Sequence, residues 1–379
     1  MRIAMIGHKS IFSEEGGIEK TVRQLSVYMA GKEHEVTVYD RGTCTPHAET
    51  ASGQFESFRN VRIVKVPTIS GAAEVPLYSF FAAVHAAFHK YDVVMFHASG
   101  PCLMLPLVKR KRTKTIAFIH GLDSKSSKWG SFARRYLSAG EKTAAKKSDK
   151  LLVLSENIRD YFKNAYGRTA EMVINGIELK EDIQDETNDK GELLNQYSLS
   201  GNGYFLWTGR ISREKGLPYL ISAYKKCKTD KKLVLAGKID KRKGSYYETL
   251  LPLCQQNPNI LFIGNQTPDA LRILYQKAFA FVFPSEQEGM AHSLLEAQVN
   301  NAACILSDIP ENKVVAQENA LYFQSKNADD LKDKMQYLID NPGIKTQLIE
   351  GQRQKIILNY SCEKSGAQIL EICTNLFEA

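Results

Sequence analysis

Two glutamates, Glu288 and Glu296, stand with seven residues between them in the stretch FVFPSEQEGMAHSLLEAQVNNAACILS, Phe281 to Ser307. The stretch opens on an apolar run, Ala278 to Phe283, that suits a buried strand, broken by Pro284 and Ser285. From about His292 the spacing of Leu294, Leu295, Ala297 and Val299 predicts a helix, and Ala302 to Leu306 predicts the next strand. A helix that starts just past a strand leaves its first amides without intrahelical acceptors and attracts anions. Carboxylates repel phosphate, so a pair bracketing that helix start suits the hydroxyl groups of a sugar and a ribose. Upstream, Arg210 and Lys215 flank another strand-to-helix loop, where two cations beside amide donors can neutralise a diphosphate. Plainer roles fit the same residues: a solvated glutamate, a first-turn glutamate favoured by the helix dipole, and two ordinary loop cations.

The elements that must hold these residues repeat along the chain. Met1 to Ile6 reads as a first strand and Ile18 to Ala30 as a helix; Gly16 and Gly17 at its start let backbone approach a ligand closely. The pair is not the GxGxxG dinucleotide fingerprint, which disfavours a redox cofactor. Further strands are predicted at Glu35–Tyr39, Val61–Val66, Asp92–Phe96, Thr115–Ile119, Leu151–Leu154 and Met172–Ile174. After a polar, acid-rich stretch from Leu179 to Asn202, in which Glu192-Leu193-Leu194 fits a short helical turn, strands resume at Tyr204–Trp207, Lys232–Leu235 and Ile260–Phe262, and again near Leu321. Such alternation predicts parallel sheet covered on both faces, with ligands at the carboxyl ends of the strands. That rule singles out His97 and His120, each directly after a predicted strand, although a lone histidine is more commonly structural.

Composition sets the outer limits. The 379 residues suggest two or three domains, and no run approaches roughly 18 consecutive apolar residues. The N-terminus lacks the pattern of a signal peptide. Seven scattered cysteines without CxxC spacing fit a reducing cytoplasm, not a disulfide framework or a zinc site. Asp182, Asp185 and Asp189 lack the tight spacing of a metal clamp. The net charge of +8 is concentrated between Leu107 and Lys150, where thirteen Lys or Arg face three acids. Such a stretch attracts phosphates on nucleic acid, anionic lipid or a lipid-linked diphosphate, or is simply a solvated helix face.

Pro-Ser-x-x-Glu-Gly, then Glu-Ala after the seven-residue spacing, resembles the signature of retaining nucleotide-sugar glycosyltransferases of family 4. That resemblance covers nearly the whole chain and implies an α/β fold of the GT-B type, two Rossmann-like βα domains facing across a cleft. The implied division is an acceptor-side domain over 1–180, a linker over 181–203, a nucleotide-sugar domain over 204–358, and a helix over 359–379 returning to the first domain. It further implies that Glu288 contacts donor-sugar hydroxyls, that Glu296 binds the ribose, and that Gly289, Met290, Ala291 and His292 line the donor between them. His292 departs from the small or aliphatic residue usual there, and is either a donor contact of this branch or a helix-start residue. Gly-Arg…Lys-Gly, here Arg210 and Lys215, resembles the family's diphosphate-binding pair. Gly16-Gly17-Ile18-Glu19 resembles the loop facing the donor phosphates, and Asn175-Gly176-Ile177-Glu178 the family's Asn-Gly-Ile-Asp turn. Gly264-Asn265 falls near where the family holds the base. His120 corresponds to a histidine near the donor sugar; with Gly121, Leu122, Asp123 and Lys128-Trp129-Gly130 it resembles bacterial members that build surface polysaccharides.

These implications make His120, Glu288, Arg210 and Lys215 the catalytic candidates. The expected reaction moves a sugar from a nucleoside diphosphate sugar, a UDP-sugar by default, to a hydroxyl acceptor such as a lipid-linked glycan. Neither a cofactor, a metal nor nucleic acid is expected, and the expected location is the cytoplasm or the inner face of the membrane. A nucleotide-sugar epimerase of the same fold, or a non-catalytic module for anionic surfaces or nucleic acid, are the competing classes.

Overall fold

A computed structural model describes residues 1–379 except 14–15, 43–54, 70, 72, 126–129, 180–186, 241–243, 255–256 and 379. Lys128, Trp129, Asp182, Asp185 and Cys44 therefore lie outside the described residues. By its internal contacts the chain forms two units, Met1–Glu178 with Tyr360–Ala379, and Leu179–Asn359.

The first unit is built on an eight-stranded sheet. In chain order its strands are β1 (Arg2–Ile6), β2 (Glu35–Arg41), β3 (Phe55–Phe58), β4 (Val61–Val66), β5 (Val93–His97), β6 (Lys114–Ile119), β7 (Lys150–Val153) and β8 (Glu171–Met172). Their spatial order is β3-β4-β2-β1-β5-β6-β7-β8, parallel throughout except for β3, which runs antiparallel to β4 at the edge. The sequence reading misses β3, a four-residue strand without the sustained apolar run of its neighbours. The inner strands are apolar almost without interruption because helices cover both faces. Ile6, Val94, Phe96, Ala117, Ile119 and Val153 share one buried cluster, and each fully buried aliphatic or aromatic side chain is worth roughly 1.5–3 kcal/mol. The order reverses between β1 and β5, and ligands of such sheets bind beyond the strand ends at that point.

The helix Gly17–Gly31 buries Val22, Leu25 and Met29 on one face, and the helix Cys362–Asn375 packs against it. The returning segment is tied by hydrogen bonds. Ile177 N donates to Tyr360 O at 2.7 Å, Cys362 N to Ile177 O at 3.2 Å, and Ser365 Oγ to Ile174 O at 2.7 Å. Gly366 admits the Tyr28 ring, since a Cβ there would stand 2.3 Å from a ring carbon.

The second unit holds six parallel strands, β9 (Tyr204–Thr208), β10 (Lys232–Ala236), β11 (Ile260–Gly264), β12 (Ala280–Phe283), β13 (Cys304–Ser307) and β14 (Ala320–Phe323). Their order, β11-β10-β9-β12-β13-β14, is that of a doubly wound nucleotide-binding sheet, reversing between β9 and β12. The linker expected over 181–203 differs in part: Thr187–Gln196 is a helix of this unit. The helix extends the short turn expected at Glu192-Leu193-Leu194; Leu193 and Leu194 are half-buried and Leu199, just past its end, is buried. Among the described residues no helix is long and apolar enough to cross a membrane.

Candidate functional site

The predicted diphosphate and sugar motifs emerge from β9 and β12, the two strands that flank the reversal in the second sheet. After Thr208 the chain turns at Gly209, whose φ of +150° disfavours other residues. A short 3₁₀ turn, Arg213–Lys215, then leads through Gly216 into the helix Leu217–Lys226. Gly216 has φ +66°, and a Cβ there would stand 2.1 Å from Pro284 O. The two loops thus lie backbone against backbone, and Glu286 N donates to Glu214 O at 2.9 Å.

That contact brings Lys215 beside Glu288, 73 residues along the chain, and the two form a hydrogen-bonded ion pair. Their side chains are only 12% and 11% exposed, and Lys215 Nζ also lies 5.2 Å from the centroid of the Phe283 ring. A desolvated pair of this kind is held together strongly, and removing one partner leaves the other charge stranded. Arg210, in contrast, is exposed and makes no ion pair among the described residues.

Beyond Glu288 the chain passes half-buried Gly289 and Met290 and buried Ala291 into the helix His292–Val299. Ala291 is the N-cap and offers no side-chain acceptor, so an anion can serve the first amides. His292 is buried as the first helical residue. Glu296, on the next turn, is half-buried, and its Oε2 accepts from Tyr275 Oη at 3.3 Å. Tyr275 Oη also shares a hydrogen bond with Thr208 Oγ1 at the end of β9. Burial first, then the Glu296 charge, pushes the Tyr275 phenol well above its ordinary range, so it stays protonated as a donor.

The loop after β12 has a support that the sequence reading passes over. Ser307 Oγ donates to Ser285 O at 2.6 Å, and Asn312 Nδ2 donates to Ser307 O at 3.1 Å and to its Oγ at 3.0 Å, all buried. Asn312 sits in the run Asp308-Ile309-Pro310-Glu311-Asn312, where a polar residue inside a helix start was the available signal. At the predicted base-side turn, Gly264 has φ +74° and its carbonyl accepts Gly237 N at 2.9 Å.

In the first unit the corresponding edge carries histidines. Gly16 caps the helix Gly17–Gly31, and Glu19 turns back so that its carboxylate accepts Lys9 N at 3.3 Å. Gly7 has φ +126°, and a Cβ there would stand 2.0 Å from His97 O, so only glycine fits between β1 and β5. His97 is the last residue of β5, not the residue after it, and is fully buried. Its Nδ1 lies 3.0 Å from Nε2 of half-buried His120, which stacks on Phe118 at 4.1 Å between centroids. Desolvation lowers both imidazole pKa values; for His97, fields from His120 and His8 add to it. Nearby, buried Asp40 accepts from His8 Nε2 and Ser10 Oγ, each at 2.7 Å, and from Ile11 N. No local spacing announces this Asp40 cluster. Among the described residues no group of three or more His, Cys, Asp or Glu is placed to hold a metal ion.

Known proteins resemble this chain along its whole length. Residues 15–181 match the family described as Glycosyltransferase Family 4, and residues 189–355 match Glycosyl transferases group 1. An uncharacterized glycosyltransferase of Methanocaldococcus jannaschii is 24% identical, covering 98% of this chain and 97% of its own. The O-antigen chain mannosyltransferase RfbU of Salmonella typhimurium is 26% identical over half of each chain. Among solved structures, sucrose-phosphate synthase from Thermosynechococcus elongatus superposes with a TM-score of 0.82 at 17% identity, covering 99% and 98% of the two chains. Anabaena HepE, solved with UDP-glucose, gives 0.79 at 14% identity over 99% and 100%. With both halves matched and both sheets in place, the chain belongs to the glycosyltransferases of family 4, with the GT-B fold.

Proposed function

We propose that the protein is a retaining glycosyltransferase that takes a nucleoside diphosphate sugar, with UDP as the default nucleotide, and glycosylates a hydroxyl acceptor. The observation that carries this is the Lys215–Glu288 pair beside a helix start without a side-chain cap, at the reversal of the second sheet. Arg210, Lys215 and the amides after Ala291 stabilise the diphosphate as it leaves, and they gain strength as its charge develops. Glu288 accepts from donor-sugar hydroxyls, and Glu296, held by Tyr275, accepts from the ribose. His120 of the first unit reads a hydroxyl of the sugar being transferred. Retention follows from acceptor attack on the donor's own face, with a phosphate oxygen taking the acceptor proton, so neither a protein nucleophile nor a metal is required. The choice of donor is supported by Anabaena HepE, whose crystal structure holds UDP-glucose.

The test is a panel of nucleotide sugars scored for binding and slow hydrolysis, repeated with candidate acceptors. Transfer that consumes donor only when a hydroxyl acceptor is present bears the reading out. Sugar interconversion without any acceptor would instead mark an epimerase.

For the acceptor we propose a lipid-linked glycan at the cytoplasmic face of an anionic membrane, in line with the O-antigen relative. The helix Ser131–Lys147 exposes Arg134, Arg135, Lys142, Lys146 and Lys147, with Phe132 84% exposed at its start. Each cation near such a surface is worth about 1 kcal/mol, which salt weakens. Lys109 is a poorer contributor than its sequence context implies, because it already pairs with Asp149 at 2.9 Å. Co-sedimentation with anionic but not neutral vesicles, lost at high salt and in an Arg134→Glu/Arg135→Glu variant, is expected. Equal partitioning onto both vesicle types would overturn the membrane reading and leave the transferase reading standing.

A further inference from the structure

The contact between His97 and His120 joins two nitrogens, Nδ1 of one and Nε2 of the other, 3.0 Å apart. A bond of that length between neutral rings holds one proton, so it has two solutions. If His120 donates, His97 carries its own proton on Nε2. That atom is buried and has no hydrogen-bond partner among the described residues, so an orphaned N–H would result. If His97 donates from Nδ1, the orphaned Nε2 is a bare lone pair, and buried proteins tolerate unmet acceptors better than unmet donors. His120 then accepts on Nε2 and carries its proton on Nδ1.

We propose that His97 is a positioning residue that holds His120 in the Nδ1–H form, making His120 a fixed hydrogen-bond donor and not a general base. Gly7 is part of the device: its lack of a Cβ lets the His97 carbonyl pass at 2.0 Å from where one would stand, which sets the depth of His97 between the strands. Phe118 packs against both rings, tilted at 42° to His97 with centroids 5.5 Å apart and stacked on His120 at 4.1 Å, which limits how far either ring can turn. Depressed basicity of both rings keeps the pair neutral, which the one-proton argument needs. The Nδ1–H then suits a neutral oxygen, a sugar hydroxyl or ring oxygen, and leaves the phosphates to the cations of the second unit. This role in transfer rests on the function proposed above; the tautomer itself does not.

The decisive measurement is long-range ¹⁵N–¹H correlation of the imidazole side chains in the full-length labelled protein at neutral pH. His120 is assigned by its loss in His120→Gln. Free histidine prefers the proton on Nε2, so a neutral Nδ1–H pattern for His120 is diagnostic. A neutral Nε2–H pattern, or a charged ring, overturns the proposal. His97→Leu should return His120 to Nε2–H, whereas His97→Asn, whose amide can donate from near the same point, should keep Nδ1–H. An unchanged tautomer in a folded His97→Leu also overturns it. In transfer assays His97→Leu should lower kcat about tenfold, the scale of one ordinary hydrogen bond, with donor KM little changed and with recovery in His97→Asn. Absence of transfer with every nucleotide sugar would sink the function while leaving the spectrum to decide the tautomer.

Discussion

The two sheets present chemically opposite edges at equivalent places in their folds. Beyond β9 and β12 stand Arg210, the largely desolvated Lys215–Glu288 ion pair and Glu296 with its Tyr275 donor. Beyond β1, β5 and β6 stand glycines and the His97–His120 pair, kept neutral by desolvation. Under the function proposed above, the second unit's edge suits the charge that builds on a leaving diphosphate, and the first unit's edge suits neutral oxygens.

The largest expected effect comes from breaking the charged edge. Lys215→Ala should lower turnover on the order of 10²-fold and also destabilise the second unit by about 3 kcal/mol, because it strands Glu288. Arg210→Ala should lower turnover similarly with an unchanged melting temperature, since Arg210 is exposed. Steady-state kinetics beside thermal melts check both, and near wild-type turnover in both folded variants would remove the diphosphate assignment.

The two glutamates sharpen the contrast within that edge. Glu296→Ala should weaken binding of bare UDP about tenfold, as loss of a charged hydrogen-bond acceptor does. Glu288→Ala should leave UDP binding equal or tighter, because it frees the Lys215 ammonium, while impairing turnover and sugar discrimination. Calorimetry with UDP alone decides it, and equal losses would contradict the division of roles.

The neutral edge should show itself through pH. His97 has a folded pKa well below its unfolded value near 6.5, so the unfolded chain binds the extra proton. Its contribution to stability is full above pH 6.5 and is lost as pH falls below it, at up to about 1.4 kcal/mol per pH unit. Denaturant midpoints of the wild type and of His97→Asn, compared from pH 7.5 to pH 5, should show the shallower slope in the variant. Parallel slopes would mean that His97 titrates normally.

The smallest effect concerns scaffolding. Ser307→Ala removes the donor to Ser285 O and should cost about 1 kcal/mol of stability, with a modest rise in donor KM. A KM unchanged despite the stability loss would show that the loop after β12 keeps its shape without that bond.

What the sequence makes legible follows from how local each signal is. The strand β12, the break at Pro284 and the helix from His292 are readable because apolar runs and turn residues act over a few positions. Pairing of Lys215 with Glu288 is not readable, since it depends on two loops meeting across the sheet reversal. The same holds for His97 with His120, where each histidine is visible as a strand-end residue but their contact depends on β5 and β6 being neighbours. The helix Thr187–Gln196 is legible only as a short turn at Glu192-Leu193-Leu194, because its few apolar anchors are outnumbered by the polar residues around them.

The return of residues 360–379 to the first unit has a consequence for the order of folding. The helix Gly17–Gly31 and the turn at Asn175-Gly176-Ile177 are synthesised long before the helix Cys362–Asn375 that packs on them. Until that segment arrives, the Tyr28 face lacks its covering glycine, Gly366, and Ile177 lacks Tyr360 and Cys362 as partners. The second unit, contiguous over 179–359, has no such wait. Long-range closure of this kind is slow and leaves apolar surface open in the interim. During synthesis the second unit is therefore expected to complete before the first, which must wait for the helix Cys362–Asn375 to emerge.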